Sequence, residues 1–153
     1  MSQKYFHPML NKTLLILFSL FAMFTARAQT ETSWTDLMDI TFKDVYLEAD
    51  DMYVYYPLFK EKQKSLDGVE IAITGYIIPV DVELNQYVLS AFPFSACFFC
   101  GNAGPESVMA VYFSEADQSF KTDQRLTLAG TLELNDTNVD ELVYVLRNAK
   151  VKE

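Results

Sequence analysis

The 153-residue sequence predicts a mainly β chain, with five strands closing into a small barrel behind an N-terminal extension. Three observations carry that prediction: period-two alternation from Asp67 onward, glycines inside two of the alternating runs, and turn residues between them. Asp67-Gly68 marks a turn. Val69, Ile71 and Ile73 then alternate with Glu70, Ala72 and Thr74 as in a half-buried strand, interrupted at Gly75 before Tyr76-Ile77-Ile78 and ended by Pro79. Gln86 to Phe92 (QYVLSAF) reads as the second strand and Ser107 to Phe113 (SVMAVYF) as the third. The polar SEADQSFKTDQ that follows reads as a turn or brief helix. RLTLAGTLELN has the clearest alternation, with Leu126, Leu128, Gly130, Leu132 and Leu134 on one face. After the loop DTNVDE, LVYVLRNAKVK is the fifth strand.

A long, bent first strand and a connection between the third and fourth describe a partly open Greek-key barrel of the OB type over residues 67–153. Gly75 and Gly130 fall where strands must coil to close such a sheet.

Residues 29–66 form the extension expected to pack on the barrel. ITFKDVYLEADDMYVYYPLF is rich in aromatic and β-branched residues, with Asp50-Asp51 as a turn and Pro57 as a break. It predicts one or two strands and a short helix toward KEKQKSL. Tyr53, Tyr55, Tyr56 and Phe59 read as packing rather than a ligand stack.

Residues 1–28 read as a secretory signal peptide. Lys4 and Lys12 give a basic start, Thr13 to Thr25 an apolar or small-residue run too short for a membrane span, and Ala26-Arg27-Ala28 a cleavage site. The expected location is therefore periplasmic, or otherwise exported. Cleavage would remove Lys4, Lys12 and Arg27 but no acidic residue, moving the formal charge from -9 to -12. So acidic a surface repels phosphate backbones, which argues against nucleic acid and for tolerance of cations. The single histidine, His7, leaves as well. Without it, Ser-His-Asp and Cys-His catalysis and histidine-based metal sites are excluded from the processed chain.

Chemistry then concentrates in one loop, SACFFCGNAGPES, which holds both cysteines. Thiolates at Cys97 and Cys100 can face one ion, and Gly101 can take the left-handed conformation needed after the second. Amides of Phe98 to Asn102 could donate to the Cys97 sulfur. Glu106 is the nearest carboxylate and the candidate third ligand, with Asp81 or Glu83 as others; such a set suits zinc or a soft ion such as Cu(I). Two other readings compete. A redox pair needs a low-pKa thiol, commonly at a helix N-terminus, and GNAGP is a poor helix start. A local disulfide would rigidify the loop but close too short a ring to stabilise much. Ser95 and Ser107 have no histidine to activate them, and the acidic groups near Glu48 and Asp136 read as solvated surface.

Gly75-Tyr76-Ile77-Ile78-Pro79, the strand before Cys97 and the CFFCGNAGPES loop together resemble a family of exported bacterial domains of unknown function, in its Bacteroidetes-type form. The resemblance spans about Trp34 to Lys152. It implies an OB-like barrel with no established activity, and a metal-handling role from relatives that stand beside metal-import genes. Relatives elsewhere carry Cys-x-His in this loop; here Cys100 would replace that histidine one position later and soften the site.

The expected function is thus a non-enzymatic periplasmic accessory that binds zinc through Cys97, Cys100 and Glu106, in metal uptake or delivery. It would have no catalytic residue and no organic cofactor. Its expected partners are a metal ion and a periplasmic or membrane transport protein. The alternatives are a thiol-disulfide redox protein and a structural interaction module.

Overall fold

The computed structural model describes residues 29–48, 51–81, 83–115 and 118–152, so the predicted signal peptide lies outside the described residues. Among the described residues, no helix is long and apolar enough to cross a membrane. In chain order the elements are β1 (Thr30–Glu31), α1 (Trp34–Met38), β2 (Thr41–Leu47), β3 (Met52–Leu58), α2 (Glu61–Lys64), β4 (Glu70–Asp81), β5 (Gln86–Ser90), β6 (Val108–Phe113), β7 (Gln124–Leu134) and β8 (Tyr144–Val151).

The sheet runs β1-β4-β5-β6-β8-β7, and β7 returns to pair with β4. Five strands therefore close on themselves, as the alternation predicted, and the circuit is complete rather than partly open. β6 and β8 are parallel, while the other barrel pairs are antiparallel. This is an OB-like barrel, with β1 as a short parallel addition to β4.

The closure depends on two glycines. β4 pairs with β7 from Glu70 to Ile77 and with β5 from Tyr76 onward, so Gly75 sits where the strand passes between neighbours. A Cβ there would lie 2.6 Å from the Ser90 carbonyl oxygen. Gly130 lies at the register shift between β7 and β8, and a Cβ there would lie 2.7 Å from the Arg147 carbonyl oxygen. Both positions need close backbone approach, which only glycine permits.

Two proline expectations are corrected. β4 does not end at Pro79 but continues to Asp81, and Pro57 lies within β3 rather than breaking it. Beyond Ile77 the β4–β7 pairing has stopped, and β3 pairs with β2 alone. Each proline thus has an unpaired edge on which a missing N–H costs nothing. The polar connection after β6 forms no helix among its described residues. Phe120 anchors it instead, stacking on Phe113 at 5.3 Å and meeting Tyr87 edge-on at 5.6 Å.

The core gathers Ile71, Ile73, Ile77, Leu89, Met109, Leu128, Leu132 and Leu146 from the barrel, and Leu37 from α1. A capping box fixes α1: the Ser33 side chain accepts the Asp36 N–H, and the Asp36 carboxylate accepts the Ser33 N–H. The hydrogen bond from the Ser33 side chain, foremost, holds the Asp36 carboxyl below the usual carboxylate range. The Trp34 indole N–H donates to the Thr74 carbonyl at 2.9 Å, and the buried Gln63 amide donates to the Asp36 carbonyl.

β2 and β3 form a separate hairpin, which corrects part of the aromatic reading. Phe59 packs on Tyr144 as expected, but Tyr53 and Tyr55 are 70% and 73% exposed. Pairing alternates side chains between hairpin faces, and only one end of this hairpin reaches the barrel core. Along its length one set of residues, including Phe42, Val45, Val54 and Tyr56, is half-buried, and the set holding Tyr53 and Tyr55 stays in solvent.

Tyr144 yields a pH prediction. Its buried hydroxyl donates to the Leu37 carbonyl at 2.6 Å. Burial, and secondarily the charge of Glu106, raises its pKa above the ordinary phenol value. The unfolded state therefore loses this proton first, near pH 10, and stability falls as pH rises from there toward the folded pKa. Urea titrations of wild type and Tyr144→Phe above pH 10 are expected to differ in slope by up to about 1.4 kcal/mol per pH unit, the wild type being steeper. Equal slopes would show that the phenol ionises as readily in the fold as outside it.

Candidate functional site

The cysteine loop leaves β5 at Ser90 and rejoins the barrel at β6. Its base is closed by the Ala91 N–H donating to the Ser107 carbonyl at 2.9 Å. Three 3₁₀ turns carry the chain between: Phe94–Ala96, Phe98–Cys100 and Pro105–Ser107. Pro93 starts the first by fixing φ near -55°, and the Ala96 N–H returns to the Pro93 carbonyl. Gly101 ends the second in the left-handed region at φ 72°, as the sequence predicted.

These turns bring the two sulfurs to one point. The Cys97 and Cys100 thiols each donate to the carbonyl oxygen of Phe94 at 3.0 Å. The sulfurs therefore lie no farther apart than twice that distance. Both thiols are free. Their surroundings differ sharply: Cys97 is 0% exposed, in a small cluster with Ile78, Val88 and Val108 against which Phe98 and Leu142 pack, whereas Cys100 faces solvent.

The anchoring of Phe94 was not legible beforehand. Its N–H donates to the Asp123 carboxylate at 2.7 Å, and the Asp123 N–H donates to the Ile77 carbonyl at 3.0 Å. Asp123 has a φ of 66°, in the left-handed region that Asp tolerates better than most residues. The residue that aims both thiols is thus tied to the barrel through a carboxylate 29 positions away. No local pattern marks such a contact.

The amide expectation is corrected. The N–H groups of Cys100 and Gly101 donate to the carbonyls of Cys97 and Phe98, so both are spent on turn closure rather than on sulfur. A 3₁₀ turn bonds the amides that close it, and that local competition removes Cys100 and Gly101 from the expected set of five.

Glu106 stands apart from the pair. Its carboxylate lies back over Gly104 in the last 3₁₀ turn, and its charge is felt at Tyr144. Asp81 accepts the N–H groups of Glu83 and Leu84, each at 3.0 Å, in the β4–β5 turn. Among the described residues, no three His, Cys, Asp or Glu side chains converge closely enough to hold a metal ion. Ser107 is buried and donates to the Gly104 carbonyl at 2.7 Å, a structural bond. Nor is all of the acidic surface free: Glu141 accepts from Tyr112 at 2.6 Å and from Arg147 at 3.2 Å.

The loop near Cys100 exposes both polar and aromatic groups: the Asn102 amide donates to the Ser95 carbonyl at 3.1 Å. Phe94 and Phe99 are 44% and 47% exposed, and space beside Gly101 is open, with nothing within 4 Å of where its Cβ would stand. The arrangement is a pair of convergent soft donors, one reachable from solvent and one sealed, in the connection between β5 and β6.

No family model matches this chain, and no curated protein matches it. Its fold is similar to the crystal structure of a DUF3299 family protein from Pseudomonas aeruginosa, at 16% identity and a TM-score of 0.51. The likeness covers 82% of this chain and 97% of that one. DUF3299 denotes a family of unknown function, and at this identity what the two chains share is the barrel.

Proposed function

We propose that the chain is an exported, non-enzymatic accessory protein that binds a transition metal, zinc foremost, between Cys97 and Cys100 and passes it to a transport partner. One observation carries this reading: the thiols of Cys97, between two 3₁₀ turns, and Cys100, at the end of the second, both meet the Phe94 carbonyl. A cation that displaces both protons would meet two thiolates already oriented toward it. The acidic composition and the resemblance to exported domains of the Bacteroidetes type support the same reading.

Two sulfurs supply half of a tetrahedral zinc shell, and Glu106 points elsewhere. Water or a partner's side chains would complete it. A half-shell suits delivery, because the open positions are where an acceptor can add its ligands before the donor lets go. Two thiolates alone also suit Cu(I). Because binding displaces protons, affinity weakens as pH falls.

The test is metal content. The full chain purified under reducing conditions with zinc is expected to retain it, and a Cys97→Ser/Cys100→Ser variant to lose it. A parallel load with Cu(I) separates the two ions. Equal and negligible metal in both proteins would end the proposal. A Glu106→Gln variant is expected to bind as the wild type does, and a loss there would bring that carboxylate back into the shell.

A further inference from the structure

We infer that the same pair performs an ordered thiol–disulfide exchange in which Cys100 attacks and Cys97 resolves. This does not rest on the metal reading, since it needs only the two sulfurs. Three features lead to it. Cys100 is exposed whereas Cys97 is sealed under Ile78, Val88 and Val108, so an incoming disulfide meets only the second cysteine. The residue after Cys100, Gly101, has no atom within 4 Å of where its Cβ would stand. The Cys100 N–H to Cys97 carbonyl bond, at 3.2 Å, closes a turn that keeps the two Cα atoms within about 7 Å, the separation a disulfide spans.

The chemistry balances without a further reagent. The Cys100 thiol loses its proton to solvent, and the thiolate attacks one sulfur of an external disulfide, R–S–S–R. The R–S bond partner leaves as a thiolate and takes up a proton, and a mixed disulfide remains on Cys100. Cys97 then gives up its proton and attacks the Cys100 sulfur, releasing the second R–SH. Two protein thiols are oxidised and one external disulfide is reduced to two thiols. The chain has no third cysteine, so the product is the Cys97–Cys100 disulfide, formed once per molecule. That product has no thiolate left for a cation, so the two uses of the pair exclude each other.

The substrate class follows from the charge. Exposed Phe94 and Phe99 flank Cys100, and the chain carries a formal charge of -9. On so acidic a chain uncharged disulfides are favoured and anionic ones are repelled.

The probe is hydroxyethyl disulfide, small and uncharged, added to the reduced full chain in the presence of a chelator so that metal plays no part. Acid quenching and intact mass follow the reaction. Wild type is expected to lose two hydrogens and hold no lasting adduct. Cys97→Ser, with Cys97→Ala as a second variant should serine unsettle the apolar pocket, is expected to accumulate one adduct on Cys100. Cys100→Ser should react slower by on the order of tenfold or more, because Cys97 becomes available only through local opening. Brief alkylation of the wild type followed by peptide mapping needs no variant and should label Cys100 first. Equal labelling of both sulfurs, equal rates in the two single variants, or a stable adduct on wild-type Cys100 would overturn the order of attack. Metal retention measured separately stands or falls without affecting these readouts.

Discussion

Leu37→Ala is expected to lower the free energy of unfolding by about 2–5 kcal/mol, the largest effect of any single truncation considered, measured by urea denaturation. Leu37 is the buried residue of α1, at 0% exposure, and it belongs to the main barrel core although it precedes the first barrel strand. Removing its side chain leaves a void that its neighbours cannot collapse to fill. Its carbonyl accepts the Tyr144 hydroxyl, the capping box holds the helix end, and Trp34 is bonded to Thr74. Those ties keep α1 in place around the hole, and this is the situation in which a cavity costs most. Tyr53→Ala on the exposed hairpin is the control and should stay within about 0.5 kcal/mol of wild type. If Leu37→Ala behaves like that control, the helix does not cap the barrel core.

Gly75→Ala is expected to destabilise by about 1–3 kcal/mol, and to loosen the cysteine loop as well. The new methyl would meet the Ser90 carbonyl at 2.6 Å and the Leu89 side chain at 2.9 Å. A backbone oxygen cannot swing aside as a side chain can, so β4 and β5 must separate. Ser90 is the last residue of β5, and the loop base is closed one residue later by the Ala91–Ser107 bond. Movement there reaches the pocket that seals Cys97. Urea unfolding should report the lost stability, and alkylation of Cys97 should become faster than in the wild type. A variant with unchanged unfolding and a still-protected Cys97 would mean that β4 and β5 tolerate the separation.

The barrel was legible because alternation is written locally. Ile71 and Ile73 stand two residues apart, and Leu128 and Leu132 four apart with Gly130 between them, and all four are buried where the pattern placed them. Gly75 and Gly130 were legible for a related reason, since a glycine inside an alternating strand has no packing role and marks close approach. The prolines misled because a residue's effect on a strand depends on whether its edge is paired, and pairing is not local. Leu37 went unremarked for the same cause: a five-residue helix holds too few positions to show a periodic face. At the site, Cys97, Cys100 and the turn at Gly101 could be picked out by residue type and spacing. Asp123 and the Phe94 carbonyl could not, because a backbone oxygen is common to every residue and the carboxylate that positions it comes from the far side of a polar connection.

By itself the sequence determined that this is a small β-barrel with its only two cysteines three residues apart in one loop. The tertiary structure alone decided which sulfur meets solvent, that both aim at one carbonyl, and that Glu106 does not join them. Residue type and short spacing set what a loop can do chemically. Direction and burial arise from packing against strands distant in the chain, where each contact depends on all the others being made.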